Sequence, residues 1–381
     1  MTTPLLTPSP PTPSATSTVR RVRRVGRPAL PPAGPAWFPS VMGTAILATL
    51  LQTYGGTGPL RTPATVLLAL AWLLLLGLAG GFAVRRPANL RASVATPSDR
   101  AQWGTVAMGV LAVGSATLAV LPGQLFVGVA LAFWVIGTVL GLVTAVAFTA
   151  ELVRGAAGEP AFVWGLPVVP PMVSATVGAA LVPHLADHPG AAVALLTASA
   201  ACFPVALVLG LVVFAVGYHH HWRVAPVPLA ASASAWIPLG IVGQSVAAAQ
   251  ALAASSAPWL TPGAASDVRT LAVVYGVVVL AGGVPLAAWA SVVTVRGFAR
   301  RMPFAPGWWA LTFPVGTVAL GLHHLGGTSG HASLVVAGGV VLAVLCGTWT
   351  LCAAASVRAV AAPVVRVLTE WRDVGTGVGA R

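Results

Sequence analysis

Trp308-Trp309-Ala310-Leu311-Thr312-Phe313-Pro314-Val315-Gly316-Thr317 sets indoles, a phenyl ring, hydroxyls and a proline inside an otherwise apolar run. Related mixtures stand in four earlier apolar runs. Trp37-Phe38-Pro39 is followed by Gly43-Thr44, and Trp103-Gly104-Thr105 by Gly109. Trp164-Gly165-Leu166-Pro167 leads to Pro170-Pro171 and Ser174. Trp236-Ile237-Pro238 leads to Gly240 and Gly243-Gln244-Ser245. The five read as one structural device used five times around a common axis, at a spacing of about 60 to 70 residues that fits an internal repeat.

The rest of the chain says what medium that device works in. Of 381 residues, 57% are hydrophobic and only 7% charged, against about 25% charged in a soluble domain. The mean hydropathy of +0.89 agrees. The chain is therefore expected to be an all-α polytopic membrane protein. Its net charge of +13 comes entirely from arginine, with no lysine. These arginines lie between apolar runs, where positive residues set membrane orientation, and no soluble basic surface is offered to nucleic acid. Cys202, Cys346 and Cys352 lie within apolar runs and read as small buried hydrophobes.

Ten apolar segments are expected to cross the bilayer: Ala36–Tyr54, Ala64–Val84, Gln102–Val120, Leu125–Phe148, Phe162–Val182, Ala192–Val216, Leu229–Ala253, Leu271–Val293, Trp308–Leu325 and Ala332–Ala355. Most can span a ~30 Å hydrocarbon core at about 1.5 Å per residue. With a cytoplasmic N-terminus and strict alternation, 18 of the 20 arginines fall inside and only Arg61 and Arg269 outside. A missed helix in mid-chain would scramble that split, so both termini are expected in the cytoplasm. Residues 1–34, Pro/Thr/Ser-rich and then basic, read as a disordered cytoplasmic tail. Residues 35–360 read as the transmembrane domain and 361–381 as a C-terminal cytoplasmic tail. No apolar h-region follows a short charged start, so the N-terminus does not read as a cleaved signal peptide.

The odd-numbered segments carry the Trp, Pro, Gly and hydroxyl residues, whereas several even ones are plain Leu, Val, Ala and Gly. This alternation predicts five helical hairpins around a central pore, odd helices inside. Pro204 and Pro285 blur it on the even side, and the third segment lacks a proline. A proline inside a helix frees a carbonyl and bends the axis, and in hydrocarbon the freed group needs protein or water. Five bent helices would leave an uncharged but polar passage, with half-helix N-termini that favour anions.

The seven acids, Asp99, Glu151, Glu159, Asp187, Asp267, Glu370 and Asp373, all fall in loops, tails or helix ends. Proton relays and cation sites ordinarily need carboxylates at membrane depth, and metal transport needs a ligand cluster. Neither is visible, and no metal or cofactor is expected. His219, His220 and His221 read as a solvated cytoplasmic loop. His184, His188, His323, His324 and His331 fall at the outer ends, where they could make a vestibule positive in acid. No nucleophile motif, P-loop or zinc-protease signature is present, so the chain does not read as an enzyme.

Ala36-Trp37-Phe38-Pro39-Ser40-Val41-Met42-Gly43-Thr44 and Trp308-Trp309-Ala310-Leu311-Thr312-Phe313-Pro314 resemble the tellurite-resistance/dicarboxylate transporter family. That family takes in bacterial TehA proteins, malate permeases, fungal sulfite exporters and plant slow anion channels. The resemblance covers residues 36 to 360. It implies ten helices in five hairpins, an anion pore formed by the odd helices, and a homotrimer with one pore per subunit. It also implies that a phenylalanine of the ninth helix occludes the pore; the motif match is Phe313. The expected lining is bent backbone at Pro39, Pro167, Pro170, Pro238 and Pro314, hydroxyls at Thr44, Ser174, Ser245, Thr312 and Thr317, and glycines at Gly43, Gly243 and Gly316. The functions left open are an anion channel in the plasma membrane, an exporter or permease for sulfite, tellurite or a four-carbon dicarboxylate, and an intramembrane enzyme, for which the sequence offers little.

Overall fold

The computed structural model describes residues 30–377, with side chains to residue 361. Among the described residues the chain is helical, with no strand. The N-terminal arginines Arg20 to Arg27 lie outside the described residues.

Helix α1 (Phe38–Gly55) leads to α2 (Arg61–Val84). Two short helices, α3 (Arg86–Ser93) and α4 (Pro97–Ala101), precede α5 (Trp103–Val120) and α6 (Gln124–Val153). There follow α7 (Pro170–Leu181), α8 (Pro189–Arg223), α9 (Ile237–Ser256), α10 (Pro262–Ala299), α11 (Phe313–Ser329) and α12 (Ala332–Gly377). Helices α1, α5, α7, α9 and α11 form a closed circuit: each packs on the next and α11 packs back on α1. Helices α2, α6, α8, α10 and α12 each lie against the circuit helix before them and the one after.

Burial separates the two sets. The most apolar stretches through α5, α7 and α9 are 67%, 89% and 72% buried, against 17 to 33% for α2, α6, α8, α10 and α12. Eight helical segments are long and apolar enough to cross a bilayer by length and composition. The two of the expected ten that fall short are α1 and α11. Helix α1 ends in Gln52, Thr53 and Tyr54, and α11 has 17 residues and carries His323 and His324. Both sit in the circuit, where neighbouring helices rather than lipid cover them, so they need less apolar surface.

Two expectations need correction. Pro39, Pro170, Pro238 and Pro314 do not lie in mid-helix; each falls in the first turn of its α-helix. There the missing N–H is one that would have had no partner, and the fixed φ suits the helix start. Four of the circuit helices begin after a separate 3₁₀ turn, at Pro35–Trp37, Phe162–Gly165, Leu229–Trp236 and Pro306–Leu311. Pro204 and Pro285 lie inside helices, α8 and α10, and Pro363 inside α12. The histidine triple is not in a loop but in the last turns of α8, with His221 packed 4.8 Å from the Phe162 ring. Helix α12 runs on to Gly377, so the part of the expected C-terminal tail among the described residues is helical.

Tryptophans on both helix sets fasten one set to the other. Trp72 of α2 donates to Thr117 of α5 at 3.1 Å, and Trp134 of α6 to the Ser174 carbonyl of α7 at 2.8 Å. Trp236, just before α9, donates to Thr294 of α10, and Trp309, before α11, to Ser356 of α12. Trp349 of α12 donates to Thr44 of α1 at 3.0 Å. In an apolar medium such bonds contribute about 0.6 kcal/mol each and give the pairing its register.

Candidate functional site

The starts of the five circuit helices meet around a cavity of about 350 Å³. Helix α1 and its preceding turn supply Ala36, Pro39 and Met42, while α4 and α5 supply Asp99, Gln102, Thr105 and Met108. The turns before α7 bring Val163, Gly165, Leu166 and Val169; Ser234, Ile237 and Gly240 come from α9 and its turn. The segment from Ala305 to Pro314 closes the circle, with Trp309, Ala310 and Phe313. Followed from each helix start, the lining stops at Met42, Met108, Val169, Gly240 and Pro314. Phe313, Met42 and Met108 on this wall are 5%, 4% and 2% exposed. The cavity thus has a mouth with polar groups and an apolar floor.

Its electrostatics follow from the helix starts. None of the five N-cap residues of α1, α5, α7, α9 and α11 caps its helix with a side-chain hydrogen bond. By contrast, Thr96 caps α4 and Thr261 caps α10. A helix start carries roughly +0.5 of an elementary charge, so five uncapped starts around one cavity make it attractive to anions. Among the described residues, Asp99 is the one charged side chain on the lining. It is held by the capping box with Thr96, whose Oγ1 lies 2.6 Å from the carboxylate. The adjacent Arg100 is turned away, to Glu151 of α6 at 2.6 Å.

Of the residues expected to line a passage, Pro39, Phe313 and Pro314 are on the cavity wall. The others face neighbouring helices. Thr44 donates to the Ser40 carbonyl and accepts from Trp349 of α12. Ser174 donates to the Pro170 carbonyl and accepts from Thr138 of α6. Ser245 donates to the Val242 carbonyl and lies beside Tyr275 of α10. Thr312 donates to the Trp309 carbonyl where α11 meets Gly43 of α1, and Gly316 meets Ile46 in the same seam. Thr317 donates to the Pro314 carbonyl and is fully buried, and Gly243 lies directly against the backbone of Thr317 and Val318. Pro167 accepts from Thr144 of α6, Pro170 packs on Gly141 of α6, and Pro238 is buried in the first turn of α9.

Met42, Met108, Gln102 and Asp99 are among the wall residues that sequence reasoning passed over. A methionine in an apolar run reads as core filling. The available signal was register: Met42 stands three residues after Pro39, and Met108 three after Thr105, each on the same helical face.

The fold and cavity define a class: a multi-pass helical membrane protein with a solute-sized chamber of anion-favouring sign. The profile of the voltage-dependent anion channel family matches residues 33–357, and the chain belongs to that family. Two uncharacterized transporters of Methanocaldococcus jannaschii are similar to it. One is 25% identical over 304 residues, covering 76% of this chain and 83% of the relative. The other is 24% identical over 307 residues, covering 76% and 82%. The protein is a membrane anion transporter or channel.

Proposed function

We propose that the protein is a passive anion channel of the plasma membrane whose path runs along the axis of the five circuit helices. In this reading all ten long helices cross the bilayer as five hairpins, with both termini and the cavity mouth on the arginine-rich cytoplasmic side. Anions collect at the uncapped helix starts and meet a plug made by Phe313, with Met42 and Met108 beside it. The family resemblance supports a homotrimer with one path per subunit. The observation that carries the reading is the pairing of five uncapped helix starts with an apolar floor. The first attracts an anion without binding it through a fixed cation; the second stops it by refusing to hydrate it.

Currents through purified protein in planar bilayers test this. With unequal chloride salt on the two sides, the reversal potential is expected to follow the chloride gradient. A reversal potential set by the cation would overturn the proposal. The relatives named transporters keep one other reading in view, a substrate-specific exporter, which would show flux saturating at low substrate and turnover below about a thousand per second.

A further inference from the structure

At the opposite end of the circuit, a second cavity of about 640 Å³ opens between the end of α1, α9, α10 and α11. Its polar wall is Thr53 at the end of α1, Ser266 and Arg269 of α10, and His323, His324 and Thr328 of α11. Arg269 directs both Nε and Nη2 to the Thr328 carbonyl. That contact fixes the guanidinium against the end of α11 and leaves Nη1 uncommitted. His323 is held by the Tyr54 ring, with centroids 4.7 Å apart, and its buried Nδ1 has no partner among the described residues. His324 follows on the same wall, its ring 6.0 Å from that of His323. No carboxylate is on the wall; Asp267 of α10 is exposed and off it.

The wall thus presents a guanidinium and two imidazoles with no anionic group beside them. The arginine is also out of pattern. Of the 20 arginines, only this one and Arg61 fall on the side that the charge distribution otherwise keeps free of positive residues. We infer that this cavity is an oxyanion-binding site separate from the axial path, with Arg269 as the fixed charge and His323 and His324 as N–H donors. Guanidinium and imidazole donors suit an anion of several oxygens better than a halide. A free sulfate or phosphate and a lipid phosphate share that chemistry.

The experiment reads binding, not conduction, so its outcome is independent of how the axial path performs. Radiolabelled sulfate is titrated onto purified protein in nanodiscs of phosphatidylcholine alone and of phosphatidylcholine with phosphatidylglycerol. The proteins are wild type, Arg269→Gln, Arg269→Lys and the double variant His323→Gln/His324→Gln, each checked for a native melting temperature. Wild type is expected to bind sulfate in neutral lipid at least tenfold more tightly than Arg269→Gln and the histidine double variant, with Arg269→Lys between. Phe313→Ala, at the other end, should bind as wild type does. If the natural occupant is a lipid phosphate, phosphatidylglycerol will displace sulfate from wild type and co-purify with it, but not with Arg269→Gln. Sulfate binding equal in wild type and Arg269→Gln would overturn the inference. So would the absence of both sulfate binding and phosphatidylglycerol retention in wild type.

Discussion

At the scale of single residues, the wall of the cavity separates side chains that face the chamber from polar ones that face neighbouring helices. Met42 is on the wall, whereas Thr44, two residues on, is bonded to Trp349 of α12. In a background lacking Cys202, Cys346 and Cys352, a cysteine at position 102 or 310 is expected to react with a membrane-impermeant thiol reagent from the arginine-rich side. A cysteine at 44 or 174 is expected to stay unmodified. Equal labelling of the two sets would remove the cavity from the path. Asp99 gives a second prediction. A carboxylate some 8 Å from a passing anion opposes it by about 0.5 kcal/mol in water and by about 2 kcal/mol at an effective dielectric of 20. Asp99→Asn should therefore raise anion flux between about twofold and thirtyfold at low salt, with the gain shrinking as salt rises. Unchanged flux would mean that anions do not pass this wall.

At the scale of elements, sequence and structure part company over the prolines. A Pro in an apolar run reads the same whether it bends a helix or begins one, and nothing local marks the 3₁₀ turn that ends just before it. The orientation of the hydroxyls was equally illegible. Thr44, Ser174 and Thr317 each donate to a carbonyl three or four residues back, as such residues do on any face of a helix. On a helix apolar all round, composition does not say which face looks inward. Thr44→Val is therefore expected to leave flux unchanged while lowering stability by about 1 kcal/mol through loss of the Trp349 bond, measured as a shift in melting temperature of the detergent-solubilised protein. The tightest seam gives a stronger effect. A β-carbon on Gly243 would run into the backbone of Thr317 and Val318, and Gly321 packs on Gly243 in return. Gly243→Leu should cost about 3 kcal/mol or prevent folding. Wild-type stability in that variant would contradict the close approach of α9 and α11.

At the scale of the whole molecule, much was legible because the bilayer imposes few and coarse rules. Arginine placement and apolar length marked out the long helices, and the alternation of odd and even segments matches the split between the buried set and the exposed set. Length and composition pick out eight of them. Helices α1 and α11 escape that filter because protein covers them, and they bear the two motifs that carried the family resemblance. Illegible from sequence was the place where five helix starts converge, since that depends on contacts between segments far apart in the chain. Those contacts put Phe313 of α11 on the same cavity wall as Met42 of α1 and Met108 of α5. Anion flux into liposomes, with wild type and Phe313→Ala reconstituted at equal density, tests that arrangement most directly. The account predicts a rise of at least tenfold for Phe313→Ala with selectivity for anions retained. Flux equal to wild type from a correctly folded Phe313→Ala protein would contradict it.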